Sequence, residues 1–162
     1  MKTLNMLAQE KTRDCATVYM LVGMPGSGKS TWAEQVHPEL PVVSRDIIRA
    51  ELGYTSGPNH KAVLSEEKEA AVTKAEYEKM KQYCKAKEDF IIDDTNISKY
   101  RKQLIDTLKS YGAYIIGVQF NTPLDVCISR RKGQIPDDVM NRIYAKKIDL
   151  DPTEVDEIIE AR

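Results

Sequence analysis

The sequence predicts an α/β fold in which helices flank a parallel sheet. Short apolar runs alternate along the chain with segments of helical periodicity, as they do when parallel strands are joined by crossover helices. A glycine-rich segment directly follows the first apolar run and precedes a helix-like segment. With 162 residues, 41% of them hydrophobic, the chain can bury one core, and we expect a single domain.

Four apolar runs are each short enough for a buried central strand, and together they predict a sheet of about four parallel strands. The four runs are Val18–Val22, Pro41–Ser44, Phe90–Asp93 and Ala113–Phe120. Segments with apolar residues at helical spacing are expected to form helices. These segments are Ser30–His37, Ile47–Leu52, Ser65–Lys87 and Lys99–Tyr111, with a further helix from Leu124.

Two stretches have turn or capping patterns. Gly53–His60 is dense in turn formers and predicts a mobile loop before the long third helix. Near the C-terminus, Asp151 is followed by a proline and, at Glu154, by a carboxylate, which is typical of a helix start. We therefore expect a short closing helix there.

Composition excludes several classes of protein. A net charge of −1 argues against a general polyanion binder, because counterion-release binding needs a strongly basic surface. Cys15, Cys84 and Cys127 lack the spacing of a zinc site or a disulfide framework, so we expect reduced thiols. No run reaches membrane-spanning length, and we expect a cytoplasmic protein without a membrane partner.

The segment Gly23–Ser30, GMPGSGKS, has the spacing of a phosphate-binding loop. Its glycines allow backbone N–H groups to point at phosphate oxygens, Lys29 is placed for the β- and γ-phosphates, and Ser30 for Mg²⁺. ATP and Mg²⁺ are therefore the expected cofactors, the alternative being a glycine-rich turn without a ligand. The candidate ATP-binding residues here are Gly23, Gly26, Ser27, Gly28, Lys29, Ser30 and Thr31.

Charged residues follow the second predicted strand. Asp46 lies just past the strand end, where open α/β sheets bind ligands, and Arg49 is one helical turn further on. Asp46 is thus a candidate general base for an attacking hydroxyl. The alternative is that Asp46 caps the helix and that Arg49 is solvated.

The third predicted strand runs into Asp93-Asp94-Thr95-Asn96. A carboxylate there suits the hydration shell of Mg²⁺ or the orientation of a substrate-binding arginine, and sequence alone does not choose between the two. A plain strand-to-helix turn is the alternative.

A basic segment, Ser129–Gly133, follows the helix that begins at Leu124. Arginine suits the charge that develops on a transferred phosphoryl group, so Arg130 and Arg131 are candidate ATP-binding lid residues, with Arg130 also a catalytic candidate. The alternative is a solvated charge run at a helix end.

In order and approximate spacing, the motifs GMPGSGKSTWA, SRDIIRAEL, DDTNISKYRK and IPDDVMNRIY resemble those of phage polynucleotide 5′-kinases over about residues 18–144. This resemblance implies the P-loop kinase fold and transfer of the γ-phosphate of ATP to the 5′-hydroxyl of DNA or RNA ends, in nucleic-acid repair. It assigns the general base to Asp46 and the acceptor phosphate contact to Arg49. It places the D-T-N residues Asp94, Thr95 and Asn96 on the acceptor side, and makes Arg130 the lid arginine.

The chain departs from the family pattern in three places. The lid is shorter, so either Arg131 or Lys132 is expected to replace a second lid arginine. Residues 1–16 are expected to be an N-terminal extension before a kinase domain at 17–162. We expect no phosphatase domain and no phosphatase activity.

Two other functions stay open from the residues. One is a small-molecule or toxin-type kinase, acting on a sugar or nucleoside. The other is a nucleotide switch without transfer to a substrate, although the N-K-x-D element of guanine-specific switches is absent. Basic residues beside Tyr100 and Tyr144 suit single-stranded nucleic acid or are simply solvated helix faces. These basic residues are Lys99, Arg101, Lys102, Arg142, Lys146 and Lys147.

Overall fold

The computed structural model describes residues 13–55 and 64–161. Most of the expected N-terminal extension, residues 1–12, and the part of the predicted loop from residue 56 to 60 lie outside the described residues. None of the described helices is long and apolar enough to cross a membrane.

Up to Lys146, strands and helices follow one another in the order that the sequence predicts. The described strands are β1 (Thr17–Val22), β2 (Val42–Val43), β3 (Phe90–Ile92), β4 (Tyr114–Phe120) and β5 (Glu157–Ala161). The described helices are α1 (Lys29–Val36), α2 (Arg45–Glu51), α3 (Glu66–Lys85), α4 (Arg101–Ser110), α5 (Leu124–Arg130) and α6 (Asp137–Lys146).

The strands of the described chain form one five-stranded parallel sheet in the order β2-β3-β1-β4-β5. Strand β1 is central, and its Val18 lies opposite Phe90 on one side and Ile115 on the other. Because all strands are parallel, the loops that follow β1, β2 and β3 emerge at the same edge of the sheet. The predicted α/β class is confirmed, with five strands rather than four.

Alternate residues of the central strand face two apolar layers, as the period of a strand requires. Val18 and Met20 pack with residues of α3 to α6, while Tyr19 and Leu21 pack with Ala33 of α1. Val18, Met20 and Leu21 are fully buried. Each buried side chain of this size stabilises the fold by about 1.5–3 kcal/mol.

The predicted closing helix is wrong, because the chain forms strand β5 instead. The capping turn does form, with Asp151 N donating to Glu154 Oε2 at 2.8 Å. The chain then extends along the free edge of β4, where Asp156 N donates to Ile115 O at 3.0 Å. Ile158 and Ile159 are β-branched and suit a strand, so pairing with β4 prevails over the local helix signal.

Candidate active site

The glycine-rich loop connects β1, the middle strand, to α1 at the edge of the sheet where the strands end. Gly26 and Gly28 have φ angles of 81° and 100°, in the left-handed region that glycine adopts without strain. Gly23 N donates to Thr95 O at 3.0 Å, and Thr122 Oγ1 donates to Ser27 O at 2.8 Å. Loops after β3 and β4 therefore hold the phosphate-binding loop from both sides.

Lys29 is folded into the loop that it belongs to. Its buried Nζ donates to Met24 O at 2.8 Å and to Gly23 O at 3.1 Å. Burial lowers the pKa of Lys29 to about 8, and the Asp93 carboxylate partly opposes that shift. The ammonium is thus held at the loop by neutral carbonyl groups, which a phosphate can outcompete by its charge.

Ser30 and Asp93 meet where β1 and β3 end side by side. Ser30 Oγ donates a 2.7 Å hydrogen bond to Asp93 Oδ2. Burial raises the pKa of Asp93, while the Ser30 hydrogen bond and Lys29 act in the opposite direction. Sequence left open whether Asp93 or Asp94 belongs at this place, and the geometry favours Asp93.

A hydroxyl and a carboxylate oxygen are hard donors that fit Mg²⁺. No group of three or more His, Cys, Asp or Glu among the described residues could hold a metal by itself. A Mg²⁺ ion held by Ser30 and Asp93 would thus complete its shell with water and nucleotide phosphates, as this ion does in kinase sites.

A groove of about 1060 Å³ runs from the phosphate-binding loop to α2. Lys29 and Asp46 both line it, so the expected phosphate donor site and the candidate base share one space. Of the predicted site residues, Gly23 and Asn96 are the two that do not line it. Those that do are Gly26, Ser27, Gly28, Lys29, Ser30, Thr31, Asp46, Arg49, Asp94, Thr95, Arg130 and Arg131.

Helix α2 presents Asp46 and Arg49 to this groove. Ser44 is the N-cap, its side chain accepting from Ile47 N at 3.5 Å, so the alternative in which Asp46 caps the helix does not apply. The Asp46 side chain is 40% exposed and accepts from Arg49 NH1 at 2.8 Å. Its carboxylate is therefore accessible and held in place by one arginine.

Glu69 on α3 is a residue that sequence reasoning missed. It accepts from Arg49 Nε and NH2 at 3.2 and 3.1 Å, and from Arg45 NH2 at 2.6 Å. These bonds lower the pKa of Glu69 against the opposing effect of burial, and they raise that of Arg49. Glu69 thus fixes both arginines of the R-D-x-x-R motif.

Asp94 joins the end of β3 to the start of α2. Its Oδ1 accepts from Arg45 N at 2.9 Å. Glu76 of α3 lies beside it, with an Oε2 atom that is buried and has no hydrogen-bond partner. Burial and the Asp94 carboxylate raise the pKa of Glu76 to about 9, which favours its neutral form. Sequence reasoning also missed Glu76.

Asn96 serves the backbone rather than the groove. It has a positive φ of 51°, and its Nδ2 donates to Leu21 O at 2.8 Å. This bond secures the end of β1 just before the phosphate-binding loop. Such a position corresponds to the strand-to-helix turn that the sequence left as an alternative.

The basic segment at the end of α5 lies over the phosphate-binding loop. Arg130 NH1 donates to Gly26 O at 3.0 Å, and Arg131 lines the groove beside it. Lys132, the other candidate for a second lid cation, pairs with Asp137 at 3.2 Å and does not line the groove. Arg131 is therefore better placed than Lys132 to contact a nucleotide.

Comparison with solved structures gives the same architecture. The chain superposes on a chain of the Pnkp1/Rnl/Hen1 RNA repair complex with a TM-score of 0.70 and 23% identity, covering 85% of this chain and 46% of that one. A second Pnkp1/Rnl/Hen1 complex matches with a TM-score of 0.66 and 26% identity, over 78% and 42%. This chain thus spans less than half the length of those two chains.

Small-molecule kinases are similar as well. A sugar kinase from Janibacter sp. HTCC2649 matches with a TM-score of 0.61 and 20% identity, over 90% of this chain and 85% of that one. The chain therefore has the P-loop kinase fold, which implies nucleotide binding. A family model described as an AAA domain matches residues 18–147, most of the chain. On that match, the protein belongs to the AAA domain family.

Proposed function

We propose that the protein is an ATP-dependent kinase that phosphorylates the 5′-hydroxyl of DNA or RNA ends. The observation that carries this proposal is the single groove lined by both Lys29 and Asp46, with Arg49 beside the carboxylate. A donor and an acceptor can thus approach each other within one space. A 5′-phosphate is what strand sealing needs, so the reaction would serve nucleic-acid repair.

In the proposed reaction, Asp46 takes the proton of the 5′-hydroxyl as its oxygen attacks the γ-phosphorus. The bond from the γ-phosphorus to the β–γ bridging oxygen breaks, and ADP leaves. Lys29 and Arg130 neutralise the charge that spreads over the phosphoryl oxygens, the largest contribution in such transfers. A Mg²⁺ ion held by Ser30 and Asp93 would supply further positive charge at the phosphates.

Arg49 gives the acceptor site its chemistry. Its planar guanidinium lies one helical turn from Asp46 and matches the oxygens of a phosphate. A polynucleotide end carries such a phosphate next to its terminal nucleoside, whereas a free sugar carries none. Similarity to a chain of the Pnkp1/Rnl/Hen1 RNA repair complex supports this choice of acceptor.

A small-molecule kinase is the second candidate. It is favoured by the sugar kinase match, which covers 85% of that chain, against less than half for the two chains of Pnkp1/Rnl/Hen1 complexes. Phosphorylation of a sugar or nucleoside would use the same Asp46 and Lys29 and would not need Arg49.

Radiolabelled ATP with matched acceptors tests these functions together. We expect label on single-stranded DNA or RNA with a 5′-hydroxyl, and none on the same strand with a 5′-phosphate. Label on free sugars or nucleosides alone would support the second candidate. Release of phosphate to water without labelled acceptor would indicate a nucleotide switch. The variant Asp46→Asn is the control for background transfer.

A further inference from the structure

A surface formed by the start of α4 and the end of α6 combines exposed aromatic rings with lysines. Among the described residues, Tyr100 and Tyr144 are the two exposed aromatic side chains, at 68% and 42%. Lys99 Nζ lies 5.5 Å from the Tyr100 ring centre, and Lys147 Nζ lies 5.0 Å from that of Tyr144. We call Lys99, Tyr100, Lys102, Tyr144 and Lys147 the tyrosine–lysine surface.

The two tyrosines belong to segments that are fastened together. Ile148 N, at the end of the segment that follows Tyr144, donates to Ile97 O at 2.8 Å. The buried guanidinium of Arg101 donates to Asn96 O and to Ile148 O, one on each segment. The start of α4 and the end of α6 are therefore held as neighbours, and the surface has a rigid base.

The connection between β3 and α4 runs from the groove to this surface. Thr95 lines the groove, and its carbonyl oxygen accepts from Gly23 of the phosphate-binding loop. Four residues separate Thr95 from Tyr100, on the same connection between β3 and α4. A strand whose end lies in the groove thus has the tyrosine–lysine surface within reach.

Charge is concentrated here although the whole chain carries −1. Segments 97–102 and 139–148 together contain six Lys or Arg and no Asp or Glu. Arg101 is used internally, since it pairs with Glu154, and Lys147 pairs with Asp149 at its edge. Arg142 pairs with Asp138, which lies just before the second segment. Lys99 and Lys102 are exposed and line a shallow depression at the start of α4, which Asp106 also lines.

We propose that the tyrosine–lysine surface binds single-stranded polynucleotide beyond the terminal acceptor nucleotide. Bases stack on Tyr100 and Tyr144, and the lysines attract the phosphates that link them. Stacking on aromatic side chains tolerates any base, and either DNA or RNA supplies the same chemistry. This proposal rests on the proposed function, which it deepens by naming the surface that would bind the nucleotides beyond the acceptor end.

The test compares a long acceptor with a short one. We expect the double variant Tyr100→Ala/Tyr144→Ala to raise KM for a 5′-hydroxyl 12-mer about tenfold. KM for ATP and for a nucleoside 3′-monophosphate should stay unchanged, because neither reaches the surface. Tyr100→Phe/Tyr144→Phe keeps the rings and should behave as wild type. Both tyrosines are exposed, so thermal unfolding should show that all variants fold.

Fluorescence anisotropy with a 3′-labelled 12-mer gives a readout that does not need turnover. Lys99→Ala/Lys102→Ala should weaken binding. It should also reduce the slope of log Kd against log salt concentration by about one to two. Lys81→Ala/Lys109→Ala, on exposed positions of α3 and α4, is the matched charge control. It should leave the affinity for the 12-mer and its salt dependence unchanged.

An unchanged KM for the 12-mer, or an equal rise for the 12-mer and the mononucleotide, would overturn the proposal. Either result would leave the kinase function in place. If the wild type bound the 12-mer through the two tyrosines but phosphorylated no nucleic acid, the surface would stand and the proposed reaction would fail. Absence of both binding and phosphorylation would overturn both.

Discussion

Ser30 Oγ and Asp93 Oδ2 lie 2.7 Å apart, where the neighbouring strands β1 and β3 end. This pair is the structure's clearest place for Mg²⁺. We expect Asp93→Asn to raise the Mg²⁺ concentration for half-maximal activity at least tenfold, because it removes a charged oxygen ligand. Magnesium titrations at saturating ATP measure this. The matched variant Asp94→Asn should leave the Mg²⁺ requirement unchanged; equal shifts in both variants would contradict the assignment.

Asp46→Asn should lower kcat by about 10²–10⁴ and leave the Kd for ATP within about twofold. An amide keeps the hydrogen bond to Arg49 but cannot accept the proton of the nucleophile. Single-turnover kinetics and calorimetric ATP titration separate the two quantities. If ATP affinity fell as far as kcat, the carboxylate would have a structural role instead.

Arg49→Ala should raise KM for a phosphate-bearing acceptor far more than KM for ATP, because its proposed partner is the acceptor phosphate. Arg49→Lys keeps the charge without the planar fork and should recover only part of the loss. Steady-state kinetics with each substrate varied in turn checks this. An unchanged acceptor KM would remove Arg49 from the acceptor site.

Binding of ATP should weaken as the pH rises through about 8. Lys29 has a lowered pKa of about 8, so it is charged below that value and increasingly neutral above it. Since the phosphates bind the charged form of Lys29, binding of ATP at pH 9 should be accompanied by uptake of a proton by Lys29. Calorimetry in buffers of different ionisation enthalpy measures the uptake. Lys29→Ala should weaken binding at every pH, abolish transfer and lose the uptake; a persisting uptake would point to another group.

Glu76→Gln should make the protein more stable at pH 8. The folded-state pKa of Glu76 is about 9, against an ordinary 4.5, because burial and Asp94 outweigh the opposite effect of Arg45 and Arg49. The folded state therefore holds a proton that the unfolded state releases above pH 4.5, and stability falls as the pH rises between these values. Thermal unfolding at pH 5, 7 and 8 should show a smaller decline in the variant than in the wild type. Equal declines would refute this.

The part of the site that sequence predicts best is local. An apolar strand, a glycine-rich loop and a helix start are consecutive in the chain, so their geometry follows from spacing alone. The choice between Asp93 and Asp94 was not predictable, because successive residues at a strand end point in opposite directions and the pattern does not locate the end to one residue.

Site residues that come from a distant helix could not be predicted from local sequence patterns either. Glu69 and Glu76 lie on α3, twenty or more residues from the arginines that they contact. One signal was present: Glu69, Thr73, Glu76 and Met80 share one face of that helix, and Met80 is fully buried. A carboxylate on a core-facing stripe indicates a buried polar partner. The closing helix was wrong because pairing with β4 has no local signature.

Arg101 lies in the DDTNISKYRK motif, and the sequence left open that it belongs to a solvated helix face. Its side chain is only 2% exposed, so Arg101 is not solvated. It joins the connection after β3, the end of α6 and Glu154 before β5. Its loss would leave the carbonyl groups of Asn96, Ile148 and Asp149 without this donor and Glu154 without its partner, and the protein would misfold before it lost any chemistry. A mutational screen scored only by phosphate transfer would therefore count Arg101 as catalytic, and a parallel measurement of protein abundance would correct that error.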